Sequence, residues 1–196
     1  MFLDAYGKYQ ETQFYKAFTE GGLFFLDEID ASIPEVLVIL NAAIANGYFD
    51  FPCGRKDAHK DFRVIAAGNT KGTGADNNYT GRYSLDRASL DRFALVEINY
   101  SPTIESSVCN NNTELLAFTH SFRKATEKAN IECLFSYRTI SRISSLEDSD
   151  IPLKDIIEYS LIKGLDKDDV NIIAENIRKE GLPTTNKYYD ALISIY

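Results

Sequence analysis

Cysteine is scarce in this chain of 196 residues. Cys53, Cys109 and Cys133 are odd in number, widely spaced and without a C-x-x-C pair. That pattern argues against a zinc site and a disulfide framework, and predicts free thiols in a reducing compartment. Long apolar runs are also missing: none reaches the ~18 residues that span a bilayer. Met1-Phe2-Leu3-Asp4 lacks the basic and apolar regions of a signal peptide, so a cytoplasmic protein with no membrane contact is expected. Positive charge is the third shortage. The formal net charge of -8 disfavours broad electrostatic binding to nucleic acid and leaves room only for a local basic patch. There is no internal repeat and no low-complexity tract.

What the chain does have is 44% hydrophobic residues, enough for one medium domain or two small ones with cores of their own. Leu23-Phe24-Phe25-Leu26 is an unbroken apolar run too short for a lone helix, and reads as a strand buried on both faces of a parallel sheet. Before it, Thr12 is placed to cap a helix with Phe14, Tyr15, Ala17 and Phe18 on one side, ending at Gly21-Gly22. After it, Ser32 and Glu35 have capping-box spacing with Pro34 in the first turn. Val36, Leu37, Leu40, Ala43 and Ile44 form the stripe that this helix should bury, and Gly47 closes it. Tyr48–Phe51 reads as a hairpin arm reaching towards Phe62. Phe62–Ala67 is the next buried strand, with Gly68-Asn69-Thr70 at its carboxyl end. A polar, glycine-rich segment runs from Lys71 to Tyr83, followed by a predicted helix over Ser84–Arg92 and a third strand over Phe93–Ile98.

Ser101-Pro102 is the expected boundary, dividing the chain into 1–102 and 103–196. Beyond it only helices are predicted, with starts at Asn112 or Thr113, Ser136, Pro152, Asp166 and Asn186. Strands first and helices after implies an α/β lobe followed by an all-α lobe.

Three chemical features fall in line along the first lobe. Asp27 and Glu28 end one buried strand, where open α/β sheets place their ligands. The first suits Mg²⁺, and the second suits orienting or deprotonating a water nucleophile. Asn69 ends the next strand, where its amide can hold the attacking water or a phosphate oxygen. Arg92, in Leu90-Asp91-Arg92-Phe93, precedes the third and can neutralise transition-state charge in a neighbouring subunit. A fourth candidate, Arg138 in Ser136-Tyr137-Arg138, starts a helix of the second lobe.

This order resembles the AAA+ ATPases, specifically the MoxR-like and cobaltochelatase-like branch, also called dynein-related. Leu23–Asp30 looks like Walker B, Val64–Thr70 like the sensor 1 strand, Gly81–Phe93 like the arginine-finger helix, and Ser136-Tyr137-Arg138 like sensor 2. The resemblance covers roughly residues 1 to 145. It implies a partial P-loop NTPase sheet followed by a helical lid, ATP and Mg²⁺ as cofactors, a ring-forming homo-oligomer and a protein substrate. It also implies roles: Asp27 for Mg²⁺, Glu28 as catalytic base, Asn69 as sensor 1, Arg92 as the trans finger and Arg138 as sensor 2. Arg87 competes for the finger role and Arg142 for sensor 2. The Tyr6–Tyr9 loop falls where the family puts a substrate-gripping pore loop.

The sequence departs from the family in one respect. No G-x-x-x-x-G-K-[ST] occurs anywhere in it. Gly72, Gly74 and Gly81 form a glycine-rich loop, but no Gly-Lys-Ser/Thr closes it and it follows the wrong strand. In the family the phosphate loop precedes Walker B, so a fragment that hydrolyses ATP negligibly by itself is expected, with unpaired sheet edges. The alternatives are a non-catalytic assembly module of the same descent, and a metal-dependent nuclease or hydrolase using Asp27, Glu28 and Asp30.

Overall fold

A computed structural model describes the whole chain except residues 76–79 and 184. Residues 76–79 belong to the glycine-rich segment, so that part of the expectation lies outside the described residues. The chain divides into two compact units, Met1–Val96 and Glu97–Tyr196.

The first unit begins with β1 (Phe2–Leu3) and β2 (Tyr9–Gln10), an antiparallel pair carrying Tyr6 almost fully exposed between them. Helix α1 (Gln13–Glu20) starts where the Thr12 side chain accepts a hydrogen bond from the Tyr15 amide, satisfying one of the orphan donors of a first turn. Strand β3 (Gly22–Leu26) leads into a 3₁₀ turn, Ile29–Ala31, and then α2 (Pro34–Asn46). Strands β4 (Tyr48–Phe51) and β5 (Gly54–Asp57) form an antiparallel hairpin, and β6 (Phe62–Ala66) pairs in parallel with β3. The register sets Phe24 beside Val64 and Leu26 beside Ala66. A short helix, α3 (Arg87–Leu90), ends the regular structure of the unit.

The core of this unit is aromatic. Phe18, Ala43 and Phe51 are buried, with Phe14, Tyr15, Phe49 and Phe62 packed against them. Phe14 lies within 5.2 to 6.1 Å, centroid to centroid, of Phe18, Phe24, Phe49, Phe51 and Phe62, in tilted or edge-on contacts. One α1 residue thereby joins the β3–β6 and β4–β5 pairs.

Several local expectations are corrected here. Strand β3 is covered on one face only: Leu23 and Phe25 are more than half exposed, as is Ile65 beside them in β6. The capping box at Ser32 and Glu35 does not form, because Ser32 closes the 3₁₀ turn and Ile33 takes the N-cap position without a side-chain bond. In α2, Leu37 and Ala43 are buried, whereas Val36 is about half exposed, since only one side of the helix has a partner. The arm Tyr48–Phe51 pairs with Gly54–Asp57 across a two-residue turn and does not reach Phe62. The helix expected over Ser84–Arg92 shrinks to α3, capped by Asp86, whose Oδ1 accepts from the Ser89 amide at 2.6 Å. Phe93–Ile98 is not a strand. None of the described strands pairs with it, and a strand needs a ladder neighbour to form.

The second unit contains α4 (Pro102–Val108), α5 (Thr113–Ala129), α6 (Tyr137–Leu146), α7 (Leu153–Ser160), α8 (Lys167–Lys179) and α9 (Lys187–Ile193). Asn112, Ser136, Asp166 and Asn186 cap α5, α6, α8 and α9 through their side chains, and Pro152 stands at the N-cap of α7. Leu115, Phe118, Phe122, Ile140, Ile143, Ile157, Ile173, Ile177 and Leu192 are among the buried side chains of one continuous core. Helix α4 was not anticipated. Its Glu105 is buried and tied to His120 Nε2 at 2.7 Å and to the Arg123 guanidinium, so a charged residue stands at a core position. Among the described residues, no helix of either unit is long and apolar enough to cross a membrane.

Candidate functional site

The parallel pairing of β3 with β6 decides where the acidic residues and Asn69 stand. The ladder continues past both strands, with the Ala67 amide donating to the Leu26 carbonyl and the Ile29 amide to the Ala67 carbonyl, each at 2.8 Å. The chain after β3 and the chain after β6 therefore leave the same end of the sheet side by side. Asp27 and Glu28 are exposed there, and so is Asn69. Asp27 Oδ1 accepts the Glu28 amide at 3.0 Å. Glu28 sits in the left-handed region at φ 54°, uncommon for a residue with a Cβ.

Asp30 binds this end together. It is fully buried. Its Oδ2 accepts the Asn69 amide at 3.0 Å, the Thr70 amide at 2.8 Å and the Thr70 hydroxyl at 2.9 Å. Its Oδ1 accepts from Arg82 Nη1 at 3.3 Å, and its backbone carbonyl accepts the Tyr83 amide at 2.7 Å. Burial alone pushes this carboxyl up, but the Thr70 amide and hydroxyl, the Arg82 charge and the Asn69 amide outweigh it and hold it below the usual carboxylate range. Gly68 makes the approach possible: a Cβ there would stand 3.3 Å from Asp30 Cγ, tighter than ordinary contact.

Arg82 completes the cluster. Its side chain is only 12% exposed, and its second nitrogen, Nη2, lies 3.3 Å from Glu28 Oε1. The guanidinium fork spans two carboxylates, which a lysine ammonium does not do in the same planar way. The segment carrying Arg82 is held by the Leu85 amide on the Gly72 carbonyl at 3.0 Å, and by buried Asn41 Nδ2 on Ser89 Oγ at 2.5 Å.

Asp27, Glu28 and Asn69 are thus brought to one sheet end. Arg92 is exposed and turned back on its own segment, its Nη1 donating to the Ala88 carbonyl; Arg87 is exposed at the start of α3. Arg138 belongs to the second unit. Within its motif Ser136 caps α6, and the Tyr137 hydroxyl accepts the Ser101 amide at 2.6 Å. Arg138 is left exposed, lining a shallow groove with Arg142, Ser141 and Ser145.

Sequence reasoning missed Arg82 altogether and placed Asp30 only in the nuclease alternative. Arg82 lies in a polar loop with no periodicity to mark it. The one signal for Asp30 was its position as the third acid in the four residues Asp27–Asp30. With Asp30 turned inward and fully bonded, Asp27 and Glu28 are the acids open to solvent at this end. Among the described residues, no three or more His, Cys, Asp or Glu side chains are grouped to hold a metal. The Asp27 carboxylate fits a Mg²⁺ ion that keeps waters and takes further oxygens from a nucleotide's phosphates.

Residues 4–93, just under half of the chain, match the family model described as AAA domain (dynein-related subfamily). No curated protein matches the chain.

Proposed function

From the match of residues 4–93 to the AAA domain (dynein-related subfamily), we propose that the chain is the water-activating part of an AAA+ ATPase that remodels a protein partner. In this reading Glu28 orients the attacking water and takes its proton. Asp27 holds Mg²⁺, directly or through water, and the ion when bound supplies charge neutralisation at the phosphates. Asn69 holds the water or a γ-phosphate oxygen. Arg92, with Arg87 as the rival, reaches into a neighbouring subunit of a homo-oligomeric ring, and Arg138 serves as sensor 2 from the helical lid. The exposed Tyr6 hairpin grips the protein substrate. The setting is cytoplasmic.

One observation carries the reading: the parallel β3–β6 register, which leaves Asp27, Glu28 and Asn69 at the carboxyl ends of adjacent strands. The phosphate cradle is not among these residues, since the sequence holds no G-x-x-x-x-G-K-[ST]. Without those backbone N–H groups and that lysine, phosphate binding loses most of its favourable contacts. The chain is therefore proposed to be a fragment that hydrolyses ATP negligibly by itself. Among the described strands β3 and β6 pair only with each other, which supports this by leaving edges open to further strands.

Titration of the chain with Mg-ATP tests the fragment reading, and micromolar affinity would overturn it. The genomic sequence upstream of Met1 tests it independently, since a G-x-x-x-x-G-K-[ST] there is expected. The same missing motif favours one second reading, a non-catalytic assembly module that keeps the oligomer interface. An upstream frame without the motif would select it.

A further inference from the structure

We infer that the exposed face of α6 is a self-complementary surface, on which a second copy of this chain seats its own α6 antiparallel, about a two-fold axis at Ser145. Arg138, Ser141, Arg142 and Ser145 are all exposed, and their spacing sets them on one side of the helix, away from buried Ile140 and Ile143. Asp148 and Asp150 stand exposed in the turn that follows. Glu147 is not part of this face, because it bonds inward to Lys187 and to the Tyr188 hydroxyl. The charges are arranged against their own helix. Arg138 lies in the first turn, where the helix dipole favours anions, and the two aspartates lie past the last turn, where it favours cations. Arg138 and Arg142 also form a like-charged (i, i+4) pair, which repels. Among the described residues, none of these four charged side chains has a hydrogen bond or ion pair to offset this.

An antiparallel copy offsets all of these costs together. Arg142 and Asp148 stand equally far before and after Ser145, so each arginine meets the other copy's aspartate, twice over. Each Arg138 then lies towards the other copy's helix end, where Asp150 and the last carbonyls carry negative charge. Ser141 and Ser145, at the centre, are short enough to let two helices approach closely. An unrelated acidic peptide satisfies the arginines alone, whereas a second α6 also brings cations to the aspartates. The contact is small and built from exposed charges, so the pairing is weak and salt-sensitive. A copy seated on this face covers Arg138, so pairing and the sensor 2 role exclude each other at any moment.

Disulfide trapping on the full chain is the test. Ser145→Cys, with Cys53→Ser removing the exposed native thiol, should form an intermolecular disulfide under mild oxidation. Trapping should be about tenfold slower at about 1 M salt than at about 0.1 M, as the screening length falls from about 10 to about 3 Å. Adding Arg142→Glu, or adding Asp148→Arg, should slow it about tenfold, since each reversal sets like charges together at both contacts. Mixing those two reversed chains should restore fast trapping between them, because every contact in the mixed pair then joins opposite charges. All the substituted side chains are exposed, so the fold tolerates them, and circular dichroism checks that it does. Trapping that is absent at about 0.1 M salt, or that ignores the reversals, would overturn the pairing. So would a mixture that is trapped no faster than either reversed chain by itself. Association through the sheet edges gives the second of these results, since it does not depend on the charges of α6.

Discussion

Thr70 donates both its amide and its hydroxyl to one oxygen of Asp30, at 2.8 and 2.9 Å. The two residues lie forty positions apart in the chain. Their contact binds the turn after β3 to the loop after β6. Asp30→Asn should therefore cost the first unit about 3 kcal/mol, because the Arg82 guanidinium loses its buried carboxylate. Thr70→Val removes one hydrogen bond to a charged group and should cost about 1.5 to 3 kcal/mol. Urea unfolding followed through first-unit signals checks both. Equal stability of Asp30→Asn and the unaltered chain would show that the cluster does not hold the fold.

Acid should act on both units through buried carboxylates. Burial pushes Glu105 up, but hydrogen bonds from His120 and Arg123 outweigh it, so both Asp30 and Glu105 are held below their ordinary values. A carboxyl depressed in the folded state contributes stability that is fully present above its unfolded pKa, about 4, and is lost as pH falls through the lower folded value. Stability should decline on acidification below about pH 5. The decline should flatten for the first unit in Asp30→Asn and for the second in Glu105→Gln. A pH series of unfolding midpoints that is unchanged by either substitution would contradict this.

The three thiols should separate by reactivity. Cys53 is exposed and Cys109 is buried. Burial pushes the Cys133 thiol up to about 11, which leaves little thiolate at pH 8. A disulfide reagent should label one thiol quickly and the other two only on unfolding. Mass spectrometry of the labelled peptides should find Cys53. Rapid labelling of all three would mean the second-unit core opens readily.

Self-association is expected from the open sheet. Among the described strands, β3 and β6 have only each other as partners, and Leu23, Phe25 and Ile65 lie exposed on one face. Leu95, Val96 and Ile98 are 71%, 76% and 91% exposed in a segment of strand-like composition and no regular structure. Such edges and segments pair with other chains. Sedimentation should show concentration-dependent oligomers, weakened by Ile65→Lys or Val96→Lys. A clean monomer at high concentration would end this expectation.

Much of the local structure was legible because it is governed by short-range chemistry. Thr12, Asn112, Ser136, Asp166 and Asn186 cap helices by bonds to amides two or three residues ahead, so neighbouring letters suffice. Asp27, Glu28 and Asn69 were found as candidates because each stands within two residues of the end of an apolar run. Where Ser32 and Glu35 misled, the 3₁₀ turn took Ser32 for its own end, a competition that spacing does not express. Phe93–Ile98 misled for the opposite reason. Its composition suits a strand, but a strand exists only beside another, and none of the described ones adjoins it.

By itself the sequence determined the starts of α1 and α5 to α9, the two apolar strands, the acids that follow the first and the want of a phosphate loop. Only the tertiary structure decided that Asp30 turns inward, that Arg82 crosses to it, and that Glu28 shares that arginine. Those contacts join residues 39 to 54 positions apart. Such distances close only when the parallel ladder sets two strand ends side by side, and no periodicity along the chain records that closure.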